Sequence, residues 1–194
     1  AMDEAVILSM ALTLPAAAAL MAMPHFLIDG LFTRGAFLAL DARATADALL
    51  QFGWGVPAFV LIRILSPAFF ARGDTRTPMR FALVSVAVNV VLAFALFYGG
   101  MSVAGLAAAV SGAAWANAGL LALTLWRTGH WRPGPTVMGR LARIALAALG
   151  LAGAVWAAQA FRPEIEAAVG VVTAGHGSKE LALLVTSAAG GLVY

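Results

Sequence analysis

Pro67-Ala-Phe-Phe-Ala-Arg72-Gly-Asp74-Thr-Arg76-Thr-Pro78-Met-Arg80 is the stretch on which the reading of this chain turns. It is short, polar and basic, and a long apolar run lies on either side of it. Upstream, residues 48–71 hold a single charge, Arg63; downstream, residues 81–126 hold no Asp, Glu, Lys or Arg. Runs of that kind aggregate in water and span in lipid, where about 20 apolar residues in a helix cross roughly 30 Å of hydrocarbon. The stretch is therefore a connector between membrane spans.

Composition agrees. The chain is 62% hydrophobic and 11% charged, with a mean hydropathy of +0.93, against about 45–50% apolar and about 25% charged in soluble domains. The apolar residues come in span-length blocks without alternation, which argues against a transmembrane β-barrel. Helices remain, because they satisfy every backbone polar group within the segment. The fold class expected is an all-α, polytopic transmembrane bundle.

A net charge of +3 and a pI near 10.2 raise the question of nucleic acid. The basic residues are scattered at helix ends and form no stripe, so no nucleic-acid partner is expected. There are no cysteines, which excludes disulfides and thiolate metal sites. Asp3 and Glu4 stand where the basic region of a cleaved signal peptide belongs.

The spans read as about 5–23 with Pro15 in its middle; about 46–71 with Gly53, Gly55, Pro57, Arg63 and Pro67; about 79–98; about 102–126; about 144–161; and a sixth from Leu181. The uncharged run 81–126 is too long for one crossing and suits two, divided at Tyr98-Gly99-Gly100. The sixth span holds 14 residues, about 21 Å at 1.5 Å each, so the expectation is an excised segment of a larger protein with its last span truncated. The amphipathic connector 24–45 and the loop 162–180 share one side of the membrane; the loops 72–80 and 127–143 share the other. The latter pair carries Arg72, Arg76, Arg80, Arg127, Arg132, Arg140 and Arg143, and the former Arg34, Arg43, Arg162 and Lys179. Seven basic residues against four make loops 72–80 and 127–143 cytoplasmic and loops 24–45 and 162–180 periplasmic or extracellular.

Few residues carry candidate chemistry. Arg63 costs at least about 2.5–3.5 kcal/mol inside a span, so such a charge faces a water-filled cavity or an acidic partner, unless its long stem snorkels to the nearby end. Asn89 lies mid-span; it is read as interhelical glue or as part of an ion or substrate site, and Ser111, Asn117 and Gln159 in the same way. Gly105, Ala108, Ser111, Gly112, Ala116 and Gly119 give the fourth span small-xxx-small spacings, the pattern of close helix packing. Gly170-Val-Val-Thr-Ala-Gly175-His176 imitates the start of a P-loop, with His where Lys is required. His25, His130 and His176 have no ligand-spaced partner, so no metal is expected. No nucleophile elbow is present, and neither catalytic residues nor a cofactor are expected.

Leu14-Pro15, Leu31-Phe-Thr-Arg34-Gly35-Ala-Phe37, and Ser66-Pro67-Ala-Phe-Phe-Ala-Arg72-Gly-Asp74-Thr-Arg76-Thr77-Pro78 together resemble the MurJ (MviN) lipid II flippases, of the multidrug/oligosaccharidyl-lipid/polysaccharide exporter superfamily. The resemblance is strongest over about residues 5–130. Its motif residues here are Pro15, Arg34, Gly35, Phe37, Pro67, Asp74, Thr77 and Pro78. It implies a fourteen-span, two-lobe transporter, of which this chain looks like spans nine to fourteen. Residues 1–130 would then be four second-lobe spans and residues 131–194 the C-terminal pair.

It also implies an activity: moving the undecaprenyl-pyrophosphate-linked peptidoglycan precursor, lipid II, from inner to outer leaflet by alternating access. The bacterial cytoplasmic (inner) membrane and a role in cell-wall synthesis and cell shape come with it. Besides lipid II, the partners implied are membrane lipid and the N-terminal lobe of the same protein. Arg63 matches a position that is basic in relatives. Some relatives hold sodium with polar residues on the third span; Asn89 stands at one such position, with Ala93 a turn later where a carboxylate is wanted, so no metal site is carried over. The alternatives are a related polysaccharide-lipid or drug exporter, or a non-transporting membrane scaffold for cell-wall enzymes.

Overall fold

The computed structural model describes residues 2–32 and 39–160. All of its regular structure is helical: α1 (Met2–Ala22), α2 (Pro24–Phe32), α3 (Ala39–Gly53), α4 (Val56–Phe70), α5 (Arg76–Leu96), α6 (Ser102–Arg127) and α7 (Pro135–Ala160). Four stretches are long and apolar enough to cross a membrane: Met2–Ala22, Leu40–Phe70, Arg76–Arg127 and Pro135–Ala157. The third, 52 residues long, reverses at Phe97–Met101, where Gly100 takes φ +89°. α5 and α6 therefore lie antiparallel, and Ser85 Oγ donates to the Ala113 carbonyl at 2.9 Å across them. The uncharged run thus makes two crossings, as its length requires, and five of the expected spans are in place. The sixth span, the loop 162–180 and the P-loop-like stretch at 170–176 lie outside the described residues, as does the Arg34-Gly35-Ala36-Phe37 motif.

The helices outrun the hydropathy. The second span begins at Ala39 rather than 46, and the fifth at Pro135 rather than 144. Hydropathy marks only what crosses hydrocarbon, whereas a helix continues through the polar interface when its ends are stabilised there. Asp41 in the first turn of α3 complements the helix dipole, and α7 begins at Pro135, whose fixed φ and missing N–H suit a first helical position. The connector 24–45 is correspondingly mostly helical, as α2 and the start of α3. Neither Pro15 nor Pro67 ends its helix. α1 runs through Pro15, and Pro57 lies in the first turn of α4, where its missing N–H costs nothing.

α6 is the axis of the bundle. It packs on α3, α4 and α5, while α1 packs on α3, α4 and α7. Gly105, Ala108 and Ser111 are buried along α6 together with Ala107, Ala109, Ala113, Ala114 and Ala118, so the small residues do permit close helix approach, the source of cohesion where lipid is as apolar as protein. Ala58 meets Ala114 and Ala118 in the middle. Leu65, Phe69, Leu121 and Leu125 close one end, joined by Met2, Phe81 and Trp131. Met23, Phe26, Leu151 and Val155 close the other. Trp131 Nε1 donates to Asp3 Oδ1 at 2.6 Å, tying the loop after α6 to the start of α1. The amino end and the connectors 71–75 and 128–134 therefore share one end of the bundle.

Candidate functional site

The connector between α4 and α5 is a pair of interlocked helix caps. Gly73 sits at φ +72°; its N–H reaches the Phe70 carbonyl and the Asp74 N–H the Phe69 carbonyl, both within 3.1 Å, a Schellman motif that uses up the last acceptors of α4. Asp74 then starts the next helix, its Oδ1 accepting from the Thr77 N–H at 3.0 Å. The side-chain and backbone hydrogen bonds of Thr77 hold the Asp74 carboxyl below its ordinary value of 3.8; desolvation opposes this, and the Arg76 N–H and the Arg80 charge assist. Gly129 repeats the device at the end of α6, with φ +72° and His130 N–H on the Leu125 carbonyl at 2.9 Å.

The second span is broken between α3 and α4, and α6 clamps the break. Ser111 Oγ donates to the Gln51 carbonyl at 2.7 Å, and Trp115 Nε1 to the Trp54 carbonyl at 2.9 Å. Both acceptors are carbonyls that the interrupted helix leaves over. Trp54 Nε1 in turn donates to Gln51 Oε1 at 3.2 Å. Ser111 can sit this close only because residue 55 is glycine: a Cβ there would lie 2.3 Å from Ser111 Oγ.

Arg63 is on the open side of α4. It shares a stripe with Phe59, Pro67 and Phe70, all exposed, while Leu65 and Phe69 turn to α6. Among the described residues no carboxylate pairs with it. It lies about seven residues before the end of α4, roughly 10 Å along the axis. Asn89 is half-buried on α5. The two candidates are on helices that touch little, and no hydrogen bond joins them. Asn117 Oδ1 is buried without a hydrogen-bond partner among the described residues. The side chain of Gln159 is not among those described.

Beside the clamp an open apolar groove of about 580 Å³ runs between α1, α6 and α7. Leu14, Met21, Trp54, Trp115, Leu149 and Trp156 line it. The Trp54 and Trp115 N–H groups are taken up by the clamp, so their rings offer apolar surface. Neither Arg63 nor Asn89 contributes to it. Sequence reasoning missed this groove and the clamp, whose members lie about sixty residues apart, as well as the contact of His25 Nε2 with Asp47 Oδ1 at 3.4 Å. The available signals were Gly53-Trp54-Gly55 inside a span and tryptophans away from the interface.

A bundle of apolar crossings, a broken span held by side chains of its neighbour, and an arginine on an open intramembrane face define a multi-pass α-helical membrane protein. The chain belongs to the lipid II flippase MurJ family, whose family profile matches residues 1–169. It is 46% identical over 147 residues to a probable lipid II flippase MurJ of Rhizobium meliloti (strain 1021), covering 76% of this chain and 27% of that protein. To the lipid II flippase MurJ of Burkholderia cenocepacia it is 34% identical over 142 residues, covering 73% and 27%. The fold superposes on a lipid II flippase MurJ structure in an inward closed conformation with a TM-score of 0.72, at 19% identity, covering 96% of this chain and 37% of that one. The chain spans about a quarter of the length of the curated relatives it matches.

Proposed function

We propose that this chain is the part of a lipid II flippase that supplies one wall of the headgroup cavity and a berth for the lipid tail. Family membership supports the substrate, and the observation that carries the reading is Arg63 on the open stripe of α4. A flippase must pass a pyrophosphate-sugar head through a hydrophilic space and a polyprenyl tail through an apolar one. An unpaired guanidinium facing lipid is costly, so the stripe fits a water-filled cavity closed by the rest of the protein, where Arg63 attracts the pyrophosphate. The apolar groove, with its three tryptophans, suits the tail. Asn89 is assigned to interhelical packing. The arginine-rich connectors 72–80 and 127–143 face the cytoplasm of a bacterial inner membrane, and the break at residues 54–55, a tight turn in the middle of the second span, is where the bundle bends during alternating access.

The test is growth of cells depleted of their own flippase and supplied with the full-length parent protein. The parent rescues; Arg63→Ala at equal membrane level does not; Arg63→Lys, which keeps the charge, rescues in part. Rescue by Arg63→Ala equal to the parent's would remove Arg63 from transport. Failure of a well-expressed parent would favour the scaffold or exporter readings.

A further inference from the structure

α7 opens with a basic face that the other described helices leave uncovered. Thr136, Gly139, Arg140 and Arg143 take the i, i+3, i+4, i+7 spacing of one helix side. Val137, Ala148, Leu151 and Val155 are buried on a different side of the same helix, which packs along α1. Together with Pro135, the four residues of the basic face line a concavity of about 360 Å³. Space is open above Gly139, where an added Cβ would meet nothing within 4 Å. Both arginines are exposed, and among the described residues neither is paired with a carboxylate. None is near in sequence, since residues 75–163 contain no Asp or Glu.

The apolar run of α7 fixes the depth of this concavity in the membrane. That run begins at Ile144, so Arg143 stands at the edge of the hydrocarbon and Arg140 and Thr136 lie one and two turns outward, at headgroup depth. Trp126, an interface-type residue, is 55% exposed at this end of the bundle. Two guanidiniums and a hydroxyl around an open concavity match the donors that a phosphodiester accepts, and guanidinium binds it in a planar fork.

We infer that the Thr136, Gly139, Arg140 and Arg143 face holds the phosphate of an anionic glycerophospholipid of the surrounding leaflet. The site is independent of the transported substrate: it is on a different helix from Arg63 and outside the apolar groove. It is also more than the excess of positive charge that orients the spans, because it requires shape as well as charge. Arg127 and Arg132 are basic and lie at the same end but do not line the concavity.

The full-length protein in detergent is titrated with phosphatidylglycerol or phosphatidylcholine, with thermal midpoint and retained lipid in native mass spectra as readouts. Phosphatidylglycerol raises the midpoint and is retained, while phosphatidylcholine and inorganic phosphate do neither. Arg140→Gln with Arg143→Gln weakens the phosphatidylglycerol response about tenfold, the scale of one lost charge-assisted contact. Gly139→Leu, which fills the concavity and keeps both charges, weakens it similarly, and carries the test should the double variant fail to fold. Arg127→Gln with Arg132→Gln, an equal loss of charge, leaves it within about twofold. Equal loss from the two arginine pairs, an unaffected Gly139→Leu, or an equal response to inorganic phosphate would each overturn the assignment.

Discussion

Asp74 accepts the first hydrogen bond of α5 and donates the last one of α4, so one residue fixes the angle at which the α5–α6 hairpin leaves the bundle. Its carboxyl is held below 3.8 chiefly by Thr77. A depressed acid stabilises the fold above its unfolded value and loses that contribution as pH falls through the folded value. The protein should therefore lose thermal stability below about pH 4 and approach Asp74→Ala, which is less stable at neutral pH. Asp74→Asn, still able to cap, should keep most of the neutral stability and lack this acid limb. Thermal unfolding in detergent from about pH 2.5 to 7 checks all three; an identical acid limb in Asp74→Asn would mean another group causes it. The motif was legible as a connector and as a family signature. Its capping role was visible only in part, because the partner carbonyl of Phe69 depends on the helix-end geometry that Gly73 creates.

At the scale of elements the break between α3 and α4 decides the shape of the second span. Gly53, Gly55, Pro57 and Pro67 all fall in that span, yet the site of the break and what holds it were not legible. Both prolines turn out to be tolerated within helix, and the clamping side chains come from α6, sixty residues on. Gly55→Ala would push a Cβ to 2.3 Å from Ser111 Oγ and should destabilise by about 1–3 kcal/mol, the usual cost of overpacking. Ser111→Ala forfeits the hydrogen bond to Gln51 and should cost about 0.6–2 kcal/mol. Gly55→Ala combined with Ser111→Gly should be less damaging than Gly55→Ala with wild-type Ser111, since the obstructing side chain is gone. Thermal midpoints of Gly55→Ala, Ser111→Gly and the double variant measure this coupling; strict additivity would deny that the two residues meet. The groove was equally illegible, because it is made by residues from α1, α4, α6, α7 and the α3–α4 turn, which only the fold brings together.

For the whole molecule, the five crossings among the described residues and the hairpin division of the uncharged run were legible from run length, and the family from three short motifs; the sixth crossing lies outside the described residues. Helix extents were not, because the polar turns of α3 and α7 carry no hydropathy signal. Sidedness rests on the arginine count, and the absence of cysteine from this chain makes it simple to test. A cysteine at Thr75 should react with a membrane-impermeant thiol reagent only after permeabilisation, and one at Tyr98, 81% exposed at the opposite turn, in intact cells. The reverse pattern would invert the bundle. The most direct test of the central claim is the amount of lipid-linked precursor exposed on the outer face of flippase-depleted cells, read by an external enzyme that cannot cross the membrane. With the full-length parent the precursor should become accessible, and with Arg63→Ala at equal membrane level it should stay inside. A precursor that remains inaccessible in the presence of well-expressed parent would contradict the account.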